Sequence, residues 1–477
     1  MLKTYSQTHI KTPIIPVNQT FAELQTIGPK LDYKAICTFA ALGFFLDDET
    51  YYENLKVLKP GNEYTLTNDH FKEKQSWFDW YHDPKYKSFN KWVDEFSDLF
   101  EGIIDEQTKN HHVILPLSGG LDSRTQAVAF KRLGKQITTY SYSFKNGHPE
   151  ARYGDKISKK CGFHFHPLTV QEGYLWSCID DLAHINHCYT DFTHPRQMAF
   201  VDRFPAMGEI FSLGHWGDVL FDNMGLPDNM TLQEQVNLLL KKLIKKSGWE
   251  LAERLWSYWE LEGCFEDYIT QRIRDLLKSI DIQNPNARLR AFKSLHWAPR
   301  WTSVNLGIYG KALPVSLPYY DDRMCRFICN IPERYLAGRQ IQIAYIKKHA
   351  PELAKITWQD HRPYNLYSYR KNRIPWNLPY RSWQKAKNTI KNLSGRPTIQ
   401  RNWELQFLGE ENQGQLYAWL MNKSGIKELL PQEIPEEFLW KFQNIDSVKY
   451  SHSVGMLLTL SVWNHLYNRN PKKEKNS

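Results

Sequence analysis

Val113-Ile114-Leu115-Pro116-Leu117-Ser118-Gly119-Gly120-Leu121-Asp122-Ser123 is the stretch on which the fold turns. An apolar run ends in small polar residues and two glycines, and a helix-forming segment, Arg124 to Leu133, follows directly. That order predicts a strand over 113–117, a turn, and a helix over 124–133. Such a turn points several backbone N–H groups at one spot, backed by the positive end of the helix dipole. Gly119 and Gly120 let the backbone approach an anion closely because neither carries a Cβ. Ser118 and Ser123 add hydroxyl donors. Asp122 would repel a bare phosphate, so its carboxylate fits only with a magnesium ion between the two. The ligand that suits the stretch is the pyrophosphate of a nucleotide with its metal. The kinase-type loop, GxxxxGK[ST], needs a lysine that is absent here. The competing reading is a plain surface turn.

Outward from this stretch, the pattern alternates between helix and strand. A helix is predicted over Lys91 to Lys109, then strand Gln136–Phe144, helix Glu150–Cys161 and a strand near His164–Leu168. Phe211 to Gly214 is a further strand, ending in the turn Gly214-His215-Trp216-Gly217-Asp218. A mostly parallel sheet is the economical reading. Ligands of such sheets sit at the C-terminal ends of the strands, which places Ser118–Ser123, Tyr142–Ser143 and Gly214–Asp218 around one pocket. Residues 1–88 read as short strands and turns, with punctuation at Pro60-Gly61-Asn62 and Asn68-Asp69. Beyond residue 230 the pattern is mainly helical, closing with Val454–Leu466, and 468–477 reads as a disordered tail.

The 477 residues leave room for two or three domains, and 24% charged residues mark a soluble globular chain. The N-terminus shows no apolar leader, and no run approaches membrane-spanning length. Seven scattered cysteines are an odd count without zinc-ligand spacing, and they read as reduced, mostly buried thiols in a cytoplasmic protein. The net charge of +9 is uneven. Between Arg362 and Gln400 there is no acidic residue but nine basic ones, Arg362, Arg370, Lys371, Arg373, Arg381, Lys385, Lys387, Lys391 and Arg396, interleaved with tyrosine and tryptophan. This is either a solvated basic face over aromatics or an anion-binding edge for a nucleotide-linked substrate, an anionic lipid surface or nucleic acid.

Ser118-Gly-Gly-Leu-Asp-Ser123 resembles the SGGxDS motif of the PP-loop ATP pyrophosphatases. With Ser141-Tyr-Ser-Phe144, Glu150-Ala-Arg-Tyr153, Gly214-His-Trp-Gly-Asp218-Val-Leu-Phe221, Pro318-Tyr-Tyr-Asp321 and Leu457-Leu-Thr-Leu460, residues 90–465 resemble the synthetase half of the asparagine synthetase family. The resemblance implies an α/β fold: a parallel twisted sheet with flanking helices (PP-loop/HUP-like), a short β-rich N-terminal region and a helical C-terminal part. It further implies a synthetase domain over 89–467. Residues 1–88 would be the remnant of a glutaminase-like domain, since Ala41-Leu-Gly43 and Leu55 to Gly61 resemble that domain's closing strands. Leu2 stands where the family's glutaminases carry their nucleophilic cysteine, so no glutamine hydrolysis in cis is expected.

The resemblance implies that a carboxylate attacks ATP to give an acyl-adenylate, which ammonia or an amine converts to an amide. The acid would be a small molecule or a peptide side chain. Ser118, Gly119, Gly120 and Ser123 would cradle pyrophosphate, Asp122 and Asp218 would hold Mg2+, and Leu117, Tyr142 and Gly214 would place the adenosine. His215 would orient the carboxylate or take the amine's proton; its alternative is a hydrogen-bonded histidine on a tight turn. The alternative for Asp218 is a helix N-cap. Arg300 divides between substrate carboxylate and core salt bridge, and Asp321 reads as support for the fold. Two departures stand out. Val219 replaces the family's usual glutamate, and its catalytic lysine has no clear counterpart near Thr357–Tyr364, where Arg362 is the nearest cation. A lapsed nucleotide-binding scaffold and a tRNA-modifying PP-loop enzyme are the other readings; nucleic acid fits less well.

Overall fold

The computed structural model describes residues 30–467, apart from 54, 68–69, 146, 148, 150, 222–223 and 394–405; of residues 64–75, 388, 391–392 and 424 only the backbone is described. The turn expected at Asn68-Asp69, a helix start at Glu150, Arg396, residues 1–29 and the tail 468–477 therefore lie outside the described residues.

The elements that build the site run as follows. Helix α1 (Tyr33–Leu42) precedes a hairpin of β1 (Asn62–Thr67) and β2 (His70–Ser76), and α2 (Phe89–Gln107) leads into β3 (Val113–Pro116). Next come α3 (Asp122–Arg132), β4 (Thr138–Phe144), α4 (Ala151–Cys161), β5 (His164–Val170), β6 (Ile210–Ser212) and the short α5 (Gly217–Phe221). Helices then dominate, among them α6 (Pro285–Phe292), α7 (Ala298–Asn305), α8 (Gln340–His349), α9 (Leu378–Leu393) and α10 (Ser447–Tyr467), with β7 (Val315–Ser316) between α7 and α8.

The main sheet has the order β5-β4-β3-β6-β7, and every pair in it is parallel. The α/β parallel-sheet architecture read from the sequence is the one observed. From β3 the chain steps outward through β4 and β5, then returns to the other flank of β3 with β6. That reversal opens a crevice beyond the carboxyl ends of β3 and β6, where ligands of open α/β sheets bind. Buried strand residues such as Val113, Ile114, Leu115 and Tyr140 explain why these runs read as continuous apolar stretches.

The N-terminal region departs from expectation. Ala41 and Leu42 end a helix, and Gly43 closes it in the left-handed region at φ 83°, its N–H donating to the Phe39 carbonyl at 2.8 Å. Asp32 caps the other end by accepting from the Ala35 N–H at 2.9 Å. Residues 35–42 are all buried, because α1 packs into the helical part rather than into a sheet. Gly248 matters here, since a Cβ there would collide with the Ala41 carbonyl. Tyr51 stacks on Trp463 of α10 at 3.9 Å, and its hydroxyl donates to the Cys188 carbonyl at 2.5 Å. The strand implied at Ala41-Leu-Gly43 is thus a helix end, and burial on every side erases the helical periodicity that would have marked it.

Candidate functional site

A cavity of about 570 Å³ opens at the carboxyl ends of β3, β4 and β6, a size typical of small-molecule sites, roughly 300–1,000 Å³. It brings together Leu117, Ser118, Gly120, Asp122 and Ser123 from the glycine turn, Tyr142 from β4, and Gly214, His215 and Asp218 from the turn after β6. Gly119 and Arg362 do not line it.

The turn is braced by its own side chains. Ser123 Oγ accepts from the Ser118 N–H at 3.1 Å, and Ser118 Oγ accepts from the Gly120 N–H at 3.2 Å. The Gly119 N–H donates instead to Gln359 Oε1 at 3.2 Å, while the Gln359 N–H donates to the Gly119 carbonyl at 3.1 Å. Its missing side chain makes room for Gln359 and Tyr153, whose atoms would lie 2.8–2.9 Å from a Cβ. Arg124 locks that segment in place. Its buried guanidinium donates to the carbonyls of Gly119, Leu353, Ile356 and Thr357 at 2.9–3.3 Å. Burial lowers its pKa to about 10 against the pull of Asp360.

Asp122, at the start of α3, is held from three sides. Arg339 pairs with its Oδ1, the Gln342 amide donates to the same oxygen at 3.0 Å, and the Tyr319 hydroxyl donates to its carbonyl at 3.0 Å. Gly217 is required beside it, because a Cβ there would overlap the Asp122 carboxylate. Burial works against the charge on Arg339, but Asp122 and Asp218 outweigh it and hold the guanidinium firmly protonated. Asp122 is thus the paired carboxylate, and Asp218 adds to the negative field around Arg339. No group of three or more His, Cys, Asp or Glu side chains able to hold a metal occurs among the described residues. Two carboxylates are nonetheless a donor set that suits Mg2+ when phosphate oxygens complete the shell.

His215 sits in the turn ahead of α5, and burial lowers its pKa to about 4 against the opposing pull of Asp218. Its Nδ1 is buried and has no hydrogen-bond partner among the described residues. A buried polar atom without a partner, on a residue that lines a cavity, marks a place where hydrogen bonding is incomplete. Trp216 carries a positive φ of 69° and stacks on Tyr320 at 4.1 Å, which fixes the turn that presents His215.

The far wall was not legible in the sequence. A π-helical turn over Lys293–Trp297 joins α6 to α7, a geometry that recurs at functional sites. It directs Lys293, Trp297 and Trp301 to the cavity, which Tyr309 and Gln197 complete. Lys293 adds a basic residue to the lining. Nothing in the local pattern marks it, since it lies mid-helix among core residues. Arg300 belongs to the core: it donates to the Glu49 carbonyl at 2.7 Å and lies over Tyr189. Asp321 caps the following helix, accepting from the Arg323 N–H at 3.0 Å.

Residues 95–204 match the family model described as asparagine synthase. That span runs from α2 through the glycine turn and β5 to Phe204. No curated protein matches the chain. Among solved structures, the NMN synthetase of Francisella tularensis is similar over 46% of this chain and 97% of its own, at 14% identity and a TM-score of 0.23. The matched span holds β3, β4 and β5 and the turn at the cavity mouth, and over residues 95–204 the chain is asparagine synthase-like.

Proposed function

We propose that the protein uses ATP to adenylate a carboxylic acid and passes the acyl group to ammonia or an amine, releasing AMP and pyrophosphate. One observation carries this reading: a single cavity is lined by the glycine turn, Asp122, Asp218 and Lys293. A carboxylate oxygen would attack the α-phosphorus as its bond to the bridging oxygen breaks. The amine nitrogen would then attack the acyl carbon, expelling AMP. Positioning and charge neutralisation supply most of the rate in such chemistry.

In this reading Ser118, Gly120 and Ser123 hold the pyrophosphate, while Leu117, Tyr142 and Gly214 flank the adenosine. Magnesium, held by Asp122 and Asp218, would neutralise the phosphate charge. Arg339 must then give up part of its hold on Asp122. Lys293 takes the place of the family's lysine, and Arg362, outside the cavity lining, does not. With a pKa near 4, His215 is neutral at physiological pH. It suits orienting the acid or the amine through a hydrogen bond better than retaining a proton.

A second reading, a nucleotide-binding scaffold with lapsed catalysis, is favoured by Gln359 on the Gly119 N–H and Arg339 on Asp122. Exchange of labelled pyrophosphate into ATP separates the two, using magnesium and a panel of carboxylic acids. Acid-dependent exchange is expected, and Lys293→Met should reduce it about a hundredfold while ATP binding persists. Arg362→Ala should leave it intact. ATP binding without exchange for any acid would favour the scaffold.

A further inference from the structure

The basic stretch that follows the site ends in α9, a 16-residue helix, Leu378-Pro-Tyr-Arg-Ser-Trp-Gln-Lys-Ala-Lys-Asn-Thr-Ile-Lys-Asn-Leu393. At 100° per residue, Tyr380, Trp383, Ala386, Ile390 and Leu393 fall on one side, and Arg381 and Lys385 on the other. In a helix on a protein surface the apolar side normally faces the core. Here it does not: Trp383, Ile390 and Leu393 are 56%, 67% and 83% exposed. The approach to the helix continues the band, with Ile374 and Trp376 also exposed, and Leu378 at the helix start is exposed too. Seven of the fifteen large hydrophobic side chains exposed among the described residues lie between Tyr367 and Leu393, so this is a concentrated patch and not the scatter of an ordinary surface.

Charge identifies what such a patch would meet. Arg370, Lys371, Arg373, Arg381, Lys385 and Lys387 are all exposed around it, and no acidic residue occurs from 362 to 400. A second copy of the same surface would bring like charges together. Nucleic acid offers bases to stack on Trp376 and Trp383 but gives Ile374, Leu378, Ile390 and Leu393 nowhere dry to go. An anionic lipid bilayer satisfies both halves, taking aliphatic side chains at the acyl boundary, aromatic rings at the headgroups and basic groups on phosphates. Lys387, 5.1 Å from the Trp383 ring, can snorkel to the headgroup level from within the apolar side.

We infer that residues 367–393, with α9 at their centre, form a docking surface that lies in the plane of an anionic membrane. The loop into α9 is set for this, since the Tyr364 hydroxyl donates to the Trp376 carbonyl at 2.9 Å and the Asn377 N–H to the Arg373 carbonyl at 3.1 Å. Upstream of this surface, Gln359 is tied to the glycine turn by the Gly119 N–H. The inference rests on surface chemistry alone and holds whichever reaction the cavity performs.

The test is flotation of the full chain with phosphatidylcholine vesicles, with and without about 30 mol% phosphatidylglycerol, at about 50 mM and 500 mM NaCl. Binding should require the anionic lipid and weaken with salt. Trp383→Ser/Ile390→Ser and Arg381→Glu/Lys385→Glu should each lower partition at least about tenfold. Both pairs are exposed, so circular dichroism and the melting temperature should not change. Three results would overturn the inference: no vesicle binding by the folded wild type, binding untouched by the apolar pair, or salt-sensitive binding to single-stranded RNA in place of vesicles. Self-association that the apolar pair abolishes, without vesicle binding, would likewise assign the patch to a second copy.

Discussion

Arg339, itself in the left-handed region at φ 63°, carries the guanidinium that occupies Asp122. The pairing puts a protein cation where a divalent ion bound with nucleotide would draw on the same carboxylate. Asp122 pairs with Arg339 directly, and Asp218 adds to the field that keeps the guanidinium charged. Binding of a metal there is an exchange of partners as much as an addition.

Removing Arg339 should therefore leave a negative charge that magnesium can neutralise. Arg339→Gln leaves a largely buried carboxylate without its cation, and losses of about 3–5 kcal/mol are usual for such a break. Added Mg2+ with a non-hydrolysable ATP analogue should recover more stability in the variant than in the wild type. Thermal melts with and without the ligand pair decide it. Equal gains in both proteins would mean that Arg339 and the metal do not compete for Asp122.

Gly217 is a steric requirement of the same pair. A Cβ at this position would run into the Asp122 carboxylate, which cannot retreat because Gln342 and Tyr319 hold the residue behind it. Gly217→Ala should displace Asp122, weaken magnesium-dependent ATP binding at least about tenfold and cost roughly 1–3 kcal/mol of stability. Gly102 is the control. It lies within α2, and a Cβ there would meet nothing within 4 Å, so Gly102→Ala should stabilise the protein by about 0.5–1 kcal/mol. Isothermal titration and melting curves of the two variants should differ in sign on stability; matching behaviour would reject the steric account.

The half of the site that could be read in advance is the half encoded locally. Ser118 to Ser123 sits between a strand and a helix in one continuous stretch, and turn chemistry depends only on neighbours in sequence. Gly214 to Asp218 was legible for the same reason. Arg339, Gln342, Gln359 and Lys293 reach the site from 217, 220, 240 and 170 or more residues away along the chain, brought by packing of helices that carry no motif. Helix α1 failed for a different reason: its residues 35–42 are buried on all sides, so neither a 3.6-residue stripe nor a strand alternation survives. Its caps, Asp32 and Gly43, were the available signal.

Acid stability offers a separate check on how α1 is fastened to α10. His452 hydrogen bonds to the Ala40 carbonyl through Nε2 at 2.9 Å, and burial lowers its pKa to about 4, with Asp191 pulling it up and Lys245 and His194 pushing it down. Its value in the unfolded chain is near 6.5. Between about pH 6.5 and 4 the unfolded chain therefore takes a proton that the folded one refuses, and stability falls as pH falls. His187 and His215, also lowered to about 4, act in the same direction. Glu49 acts oppositely: burial raises its carboxyl to about 7 despite Arg272, so it favours the folded state as pH drops from 7 toward 4.5. Because the whole-protein slope mixes these, the informative quantity is the difference between wild type and His452→Gln, which keeps a donor for Ala40 and cannot titrate. The variant should lose less stability than the wild type between pH 6.5 and 4.5, by about 1–3 kcal/mol. Denaturant titrations at both pH values measure it, and parallel losses in the two proteins would show that His452 does not stay neutral in the fold.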